Sequence, residues 1–331
     1  MSTINEEIKK RILVLDGAMG TMLQRYNFTE EDFRGERFKD YPTPLQGNND
    51  LLSLTQPEAI AEIHKQYLEA GADIIETNTF SGTSIAMADY NMEDLVYELN
   101  YESAKIAKQV ANEFTKKTPE KPRYVAGSIG PTNRTASMSP DVNDPGYRAV
   151  TFNELRIAYK LQVEALLDGG ADILLVETVF DTLNAKAALF AIEEVKDERK
   201  IQVPVMLSGT ITDASGRTLS GQTAEAFLIS ISHIPLLSIG FNCALGANLL
   251  QPHLEAIASK TEFAVSAHPN AGLPNAFGEY DETAEEMASQ IEDYLKKDLI
   301  NIIGGCCGTT PEHISAIAYL AAKYQPRQIG R

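Results

Sequence analysis

The sequence predicts an α/β fold, a (β/α)8 TIM barrel, with residues 1–331 forming one domain. Three observations predict it. Eight short apolar runs spread over nearly the whole chain, amphipathic helical stretches alternate with them, and no Ser/Gly-rich linker or low-complexity tract divides them. Strand–helix alternation implies a parallel sheet with right-handed crossovers, and eight uninterrupted units favour closure over an open, doubly wound sheet. Size alone leaves the matter open, because 331 residues at 44% apolar content suit two ordinary domains as well as one barrel.

The strands are expected at 12–15, 73–76, 124–126, 172–176, 203–207, 237–241, 262–266 and 299–303, where β-branched or apolar runs end in turn residues. Helical periodicity marks 57–70, 153–167, 182–196, 223–232, 248–259 and 283–296 between them. Two segments are loosely equivalent: EAGADIIETNTF (69–80) and DGGADILLVETVF (168–180) both read as helix end, Gly turn, buried strand, then Glu-Thr. Long polar segments at 32–49, 132–147 and 270–281 follow strands. In a barrel the loops after strands open on one face, where active sites are built, so these segments are expected to wall or cover a site.

Composition excludes several classes of partner. Lys plus Arg number 29 against 46 Asp plus Glu, and the net charge of -17 repels phosphate backbones and anionic lipid. Neither nucleic acid nor a membrane is expected as a partner. The opening MSTINEEIKKRILVLDG is acidic, with an apolar run too short for a signal segment. No apolar stretch nears the ~20 residues of a membrane span, so a cytoplasmic protein is expected. Three cysteines cannot build a disulfide framework, and an odd count leaves at least one thiol free.

Position gives those cysteines a role. Cys243 follows the sixth strand in SIGFNCALG, and Cys306 and Cys307 follow the eighth in NIIGGCCGTTPEH. Alternate strands contribute to a shared layer, so the three can converge over the barrel mouth. Neighbours in a regular strand point to opposite faces, so Cys306 and Cys307 can share one ion only if the backbone leaves β geometry. Gly304, Gly305 and Gly308 permit that departure. Three thiolates suit Zn2+, and three protein ligands with a fourth position open is the pattern of a catalytic site. On residues alone two other readings stand. One is a pair of packed thiols beside a turn. The other is a phosphate cradle, for which Thr309, Thr310, Pro311 and Glu312 supply a helix start, as in a phosphate-binding barrel lyase or isomerase.

The motifs LDGAMGT (15–21), GNNDLL (47–52), GADIIETNTF (71–80), PDVNDP (140–145), ITDASGRTLSGQT (211–223), NCALG (242–246), HPNAGLPNAFGEYD (268–281) and GGCCGTTPEHI (304–314) resemble the homocysteine-binding module of cobalamin-dependent methionine synthase. The resemblance runs from about residue 12 to 313. Betaine- and S-methylmethionine-dependent relatives share the barrel, the Asp-Gly start and the Gly-Gly-Cys-Cys end, but are less similar in the polar loops.

The resemblance implies a zinc-dependent homocysteine S-methyltransferase that makes methionine. Cys243, Cys306 and Cys307 would bind zinc, and zinc the homocysteine sulfur. A free thiol, with a pKa of ~8.5, is mostly protonated at neutral pH, and coordination to zinc removes that proton. The resemblance also suggests Asn270 as a displaceable fourth ligand, with His268 as its rival. Glu177 would take the substrate ammonium with help from Asp16, the N–H groups of Gly17 and Ala18 would hold its carboxylate, and Thr79 and Phe80 would line the pocket. His64, His233, His253 and His313 fall on expected helices as surface or cap residues. The methyl group would come from methylcobalamin, recharged from methyltetrahydrofolate. The rest of the chain is too short for that machinery, so folate- and cobalamin-binding modules or subunits are the expected partners. A non-catalytic homocysteine or zinc sensor is the remaining alternative.

Overall fold

Runs rich in Ile, Leu and Val form β1 (Leu13–Val14), β2 (Ile74–Glu76), β3 (Tyr124–Ile129), β4 (Ile173–Val179), β5 (Val205–Gly209), β6 (Ser238–Gly246), β7 (Ala264–Asn270) and β8 (Ile302–Ile303). The computed structural model describes residues 3–212 and 215–330, so Asp213 and Ala214 of the ITDASGRTLSGQT motif lie outside the described residues. All pairings are parallel, in the order β1-β8-β7-β6-β5-β4-β3-β2. A bridge between Leu15 and Ile74 joins the two ends, and hydrogen bonds from Asp73 N to Val14 O (2.7 Å) and from Asp16 N to Ile74 O (3.0 Å) complete the seam. The sheet is therefore a closed barrel, as the strand count predicts.

Alternation along the strands sorts the apolar residues into two cores. Leu13, Leu15, Ile74, Ile173, Leu175, Met206 and Ile302 fill the barrel interior. Their neighbours, among them Val14, Ile75, Leu174, Leu207, Val265 and Ile303, face outward against the helices. The helix after each strand is α1 (Pro57–Glu69), α2 (Val96–Lys117), α3 (Phe152–Asp168), α4 (Thr182–Arg199), α5 (Ala224–Ile231), α6 (Ala247–Ala258), α7 (Ala284–Lys296) and α8 (Pro311–Ala321). Caps fix several starts: the hydroxyls of Thr151, Thr223 and Thr283 accept the N–H groups of Glu154, Ala226 and Glu286. Helix α2, 22 residues long, carries no start signal as clear as these and was not among the expected helices.

Strands β4, β6 and β7 run three to five residues past their expected ends. Those extensions carry Glu177, Asn242, His268 and Asn270, polar residues that hide a strand from a hydrophobicity pattern. The extensions of β4 and β6 also contain bulges, with register shifts between Val176 and Val179 and between Asn242 and Gly246. Lower in the barrel, Gly240 lets β6 approach β7: a Cβ there would lie 1.7 Å from the carbonyl oxygen of Ser266.

The histidines divide. His313 does sit at the start of α8, where its Nδ1 accepts the Thr310 N–H, but His64 is a correction. It is fully buried on the barrel-facing side of α1, and both ring nitrogens lack a partner. Burial pushes its pKa down to about 4. The unfolded chain, with a histidine pKa near ~6.5, binds that proton first, so this contribution to stability is complete above pH ~6.5 and is lost as pH falls toward 4. The loss amounts to about 3 kcal/mol. His64→Leu is expected to flatten the fall in Tm between neutral pH and pH ~4.5 relative to the native protein; parallel curves in thermal melts across that range would show that His64 is not responsible.

Candidate active site

The carboxyl ends of the strands surround a cavity of about 1280 Å³. It exceeds the roughly 300–1,000 Å³ of ordinary small-molecule sites. Each wall follows from local chain geometry. Strand β8 stops at Ile303, and the backbone then turns through Gly304–Gly308 while keeping contact with its neighbours: Gly305 N donates to Asp16 O (3.1 Å) and Cys306 N to Pro269 O (2.9 Å). Gly308 has φ +80°, and a Cβ there would lie 2.3 Å from Cβ of Tyr280, so only glycine fits this turn. The adjacent cysteines thus leave β geometry, as sharing a site requires.

Across the mouth, Cys243 (φ 61°) and Ala244 (φ 59°) both adopt the left-handed region within the β6 bulge. Two consecutive residues with side chains in that region are strained, and such strain concentrates at functional sites. The result is convergence: the Sγ atoms of Cys243, Cys306 and Cys307 all lie within 4.8 Å of one another, with Cys243 and Cys307 at 3.7 Å. Hydrogen bonds from Cys243 and Cys306 push the Cys307 thiol down to about 3, and the Tyr280 phenol adds another. The same contacts raise Cys306. The cluster thus favours a thiolate that its neighbours share.

This donor set fits a thiophilic metal ion. Three thiols converge, and two buried polar atoms of β7, Asn270 Oδ1 and His268 Nε2, have no partner. His268 lines the cavity and burial keeps it neutral, with its pKa lowered to about 3. Asn270 ends β7, paired with Gly246 beyond the β6 bulge that holds Cys243, and is not among the residues that line the cavity. The phosphate cradle fits poorly. The start of α8 is filled by its own side chains, with Thr310 bonded to Glu312 and His313, and the Glu312 carboxylate stands where an anion would sit.

A second wall, at the ends of β1, β2 and β4, is acidic. Asp16 is 2% exposed; its Oδ2 accepts the Glu76 N–H (3.0 Å) and its Oδ1 has no partner. Glu177, 5% exposed, accepts a hydrogen bond from the Ser128 hydroxyl. Burial raises the carboxyls of Asp16, Glu76 and Glu177 above their usual range, and the charge on Glu177 raises the other two further. Burial also brings Asp50 up to about 7. Arg25 lines the same cavity, but among the described residues no Lys or Arg forms an ion pair with these carboxyls, so this wall suits a positively charged group.

Of the residues singled out from the sequence, Gly17, Ala18, Thr79 and Phe80 also line the cavity. Gly17 is tightly enclosed, since a Cβ would lie 2.7 Å from Thr309 Oγ1, and the Ala18 N–H donates to that hydroxyl at 3.2 Å. Thr79 Oγ1 bonds to Ser128 O at 2.8 Å, and Phe80 is partly exposed. Of the polar loops, residues 47–49 and 278–280 reach the cavity, but from 132–147 only Thr132 and Asn133 do.

Four participants escaped the sequence reading. Glu76 was signalled by the repeated Glu-Thr pair, whose second copy is Glu177-Thr178. Asp50 and Tyr280 lay unassigned within GNNDLL and the GEYD loop. Asn242 precedes Cys243, and its side chain bonds to Thr178 twice: Thr178 N donates to Oδ1 (3.0 Å), and Nδ2 donates to Thr178 Oγ1 (2.8 Å).

A closed parallel barrel with three converging thiols and an acidic wall at one mouth defines a barrel able to hold a metal ion and a cationic ligand side by side. The homocysteine S-methyltransferase family model matches residues 13–321, and the chain belongs to that family of methyltransferases. Among solved structures it is similar to the homocysteine methyltransferase MmuM from Escherichia coli. The metallated form has a TM-score of 0.71 at 23% identity, covering 94% of this chain and 96% of that one. The apo form has a TM-score of 0.68 at 22% identity, covering 96% and 98%. At this identity the likeness is one of fold.

Proposed function

We propose that this protein methylates the sulfur of homocysteine to give methionine, with Cys243, Cys306 and Cys307 holding a zinc ion and methylcobalamin supplying the methyl group. The observation that carries the reading is the convergence of three thiols beside a buried acidic wall. Homocysteine has groups that suit both. Bound by these three thiolates, zinc would supply a coordination position at which a thiol loses its proton and its sulfur stays nucleophilic at neutral pH. Asn270 Oδ1, a weak and partnerless acceptor, is the group we assign to that position before substrate arrives, in preference to His268.

The chain's own residues do the positioning. Glu177 receives the substrate ammonium, and Asp16 helps through its partnerless Oδ1. An ammonium arriving there supplies a positive charge beside these buried carboxyls and so favours their charged form. Within the turn at Gly17 and Ala18 the Gly17 N–H is the donor we assign to the carboxylate, since that of Ala18 is taken by Thr309 Oγ1, and Thr79 and Phe80 close the side of the pocket. The cavity volume left above a small amino acid is room for a second reactant. Folate- and cobalamin-binding modules or subunits are the partners we assign to deliver it.

The test is metal analysis with and without homocysteine, combined with X-ray absorption at the zinc edge and an assay with free methylcobalamin. Stoichiometric zinc, a fourth sulfur on substrate addition and methionine formation are expected. Absence of zinc would sink the reading, and homocysteine binding without methionine would favour a sensor. Glu177→Gln is expected to weaken homocysteine binding about ten- to a hundredfold, the worth of one charged hydrogen bond, and to leave the des-amino analogue unaffected. Calorimetric titration with both thiols checks this; equal losses would remove Glu177 from the ammonium site.

A further inference from the structure

Two strained segments meet at one side chain. Strand β4 bulges beside Glu177, where Thr178 has φ 52°, and β6 bulges at Cys243 and Ala244, with φ 61° and 59°. These strands do not pair with each other, since β5 lies between them. The amide of Asn242, 1% exposed, spans that gap. Its Oδ1 accepts the Thr178 N–H at 3.0 Å, and its Nδ2 donates to Thr178 Oγ1 at 2.8 Å. Nδ2 also faces Cys306 Sγ at 3.9 Å.

The neighbours of these groups matter. Thr178 follows the carboxyl proposed for the substrate ammonium, and Cys243 follows Asn242 itself. One amide is therefore bonded to the ammonium end of the site, attached by the backbone to one thiol and in contact with a second. Released from this tie, non-glycine residues in the left-handed region relax toward commoner conformations, and the two bulges then move independently.

We propose that Asn242 is a positioning residue that fixes the span between the Glu177 carboxyl and the thiol cluster, and so selects amino-thiols by chain length. The inference rests on homocysteine as the substrate. A ligand held at both ends feels that span. Homocysteine fills it, whereas cysteine, one methylene shorter, reaches only one end in good geometry. An unfixed span would accommodate either at similar cost.

The test is calorimetric titration of the zinc-loaded protein with homocysteine and with cysteine, for the native protein and for Thr178→Val, Thr178→Ser and Asn242→Ala. Thr178→Val keeps the branched shape and removes a hydroxyl that bonds to Asn242 Nδ2 and also to the Glu177 carboxyl. Loss of the second bond weakens both thiols alike, and loss of the first is expected to narrow the homocysteine-to-cysteine affinity ratio about five- to tenfold, the worth of one hydrogen bond. Thr178→Ser, which keeps the hydroxyl, is expected to retain the ratio. Asn242→Ala should narrow it further and speed loss of Zn2+ to a chelator. An unchanged ratio in Thr178→Val, or equal weakening for both thiols, overturns the proposal even if Asn242→Ala does not fold. A native protein that binds neither thiol would instead remove the substrate assignment, and that result appears before any variant is made.

Discussion

Cys306→Ser is expected to lose its metal and with it at least about a hundredfold in turnover, while the barrel stays folded. Altering partners that merely support metal ligands commonly costs 10–100-fold, and removing a ligand costs more. Serine keeps the shape of the side chain but offers a hydroxyl that does not ionise near neutral pH. The fold survives because Cys306 hangs from backbone bonds that its side chain does not make: its N–H goes to Pro269 O, and its carbonyl accepts from Thr309. Metal content after gel filtration, far-UV circular dichroism and the methyl-transfer rate check the expectation together. Full zinc retention would remove Cys306 from the metal site.

Gly240→Ala is expected to have the largest effect on stability, a loss of more than about 3 kcal/mol or failure to fold. The added methyl would meet the Ser266 carbonyl at 1.7 Å, and that atom belongs to the backbone of a paired strand, so no side-chain rotation relieves the clash. Separating β6 from β7 would also displace Cys243 from the other thiols. Denaturant unfolding measures the loss; a variant within about 1 kcal/mol of the native protein would mean that the two strands part easily.

The barrel was legible because its strands are buried on both faces and read as continuous apolar runs, as at Ile173–Leu175. The cysteines were legible because they lie at the ends of two such runs. Legibility stopped where polarity entered the strands. A hydrophobic pattern ends β6 before Asn242, yet pairing with β7 continues past it through a bulge. Glu76 closes a three-residue strand and looks like any solvent-facing acid until the barrel curves it toward Glu177. The burial of His64 depended on which side of α1 packs inward, and a single helix period left that side unresolved.

The seam between β1 and β2 adds a dynamic consequence. A ladder this short is the natural place for the cylinder to breathe, and Asp16 and Glu76 stand on its two lips, joined by one side-chain contact. A cation drawn to these carboxyls acts as a clasp on the opening. Ligand occupancy will therefore slow amide exchange in Leu13–Val14 and Ile74–Glu76 before it does so in strands opposite. Ligand binding and mechanical closure of the cylinder are then expected to coincide, because the Asp16 carboxylate that faces the ligand is the group that holds the Glu76 N–H across the seam.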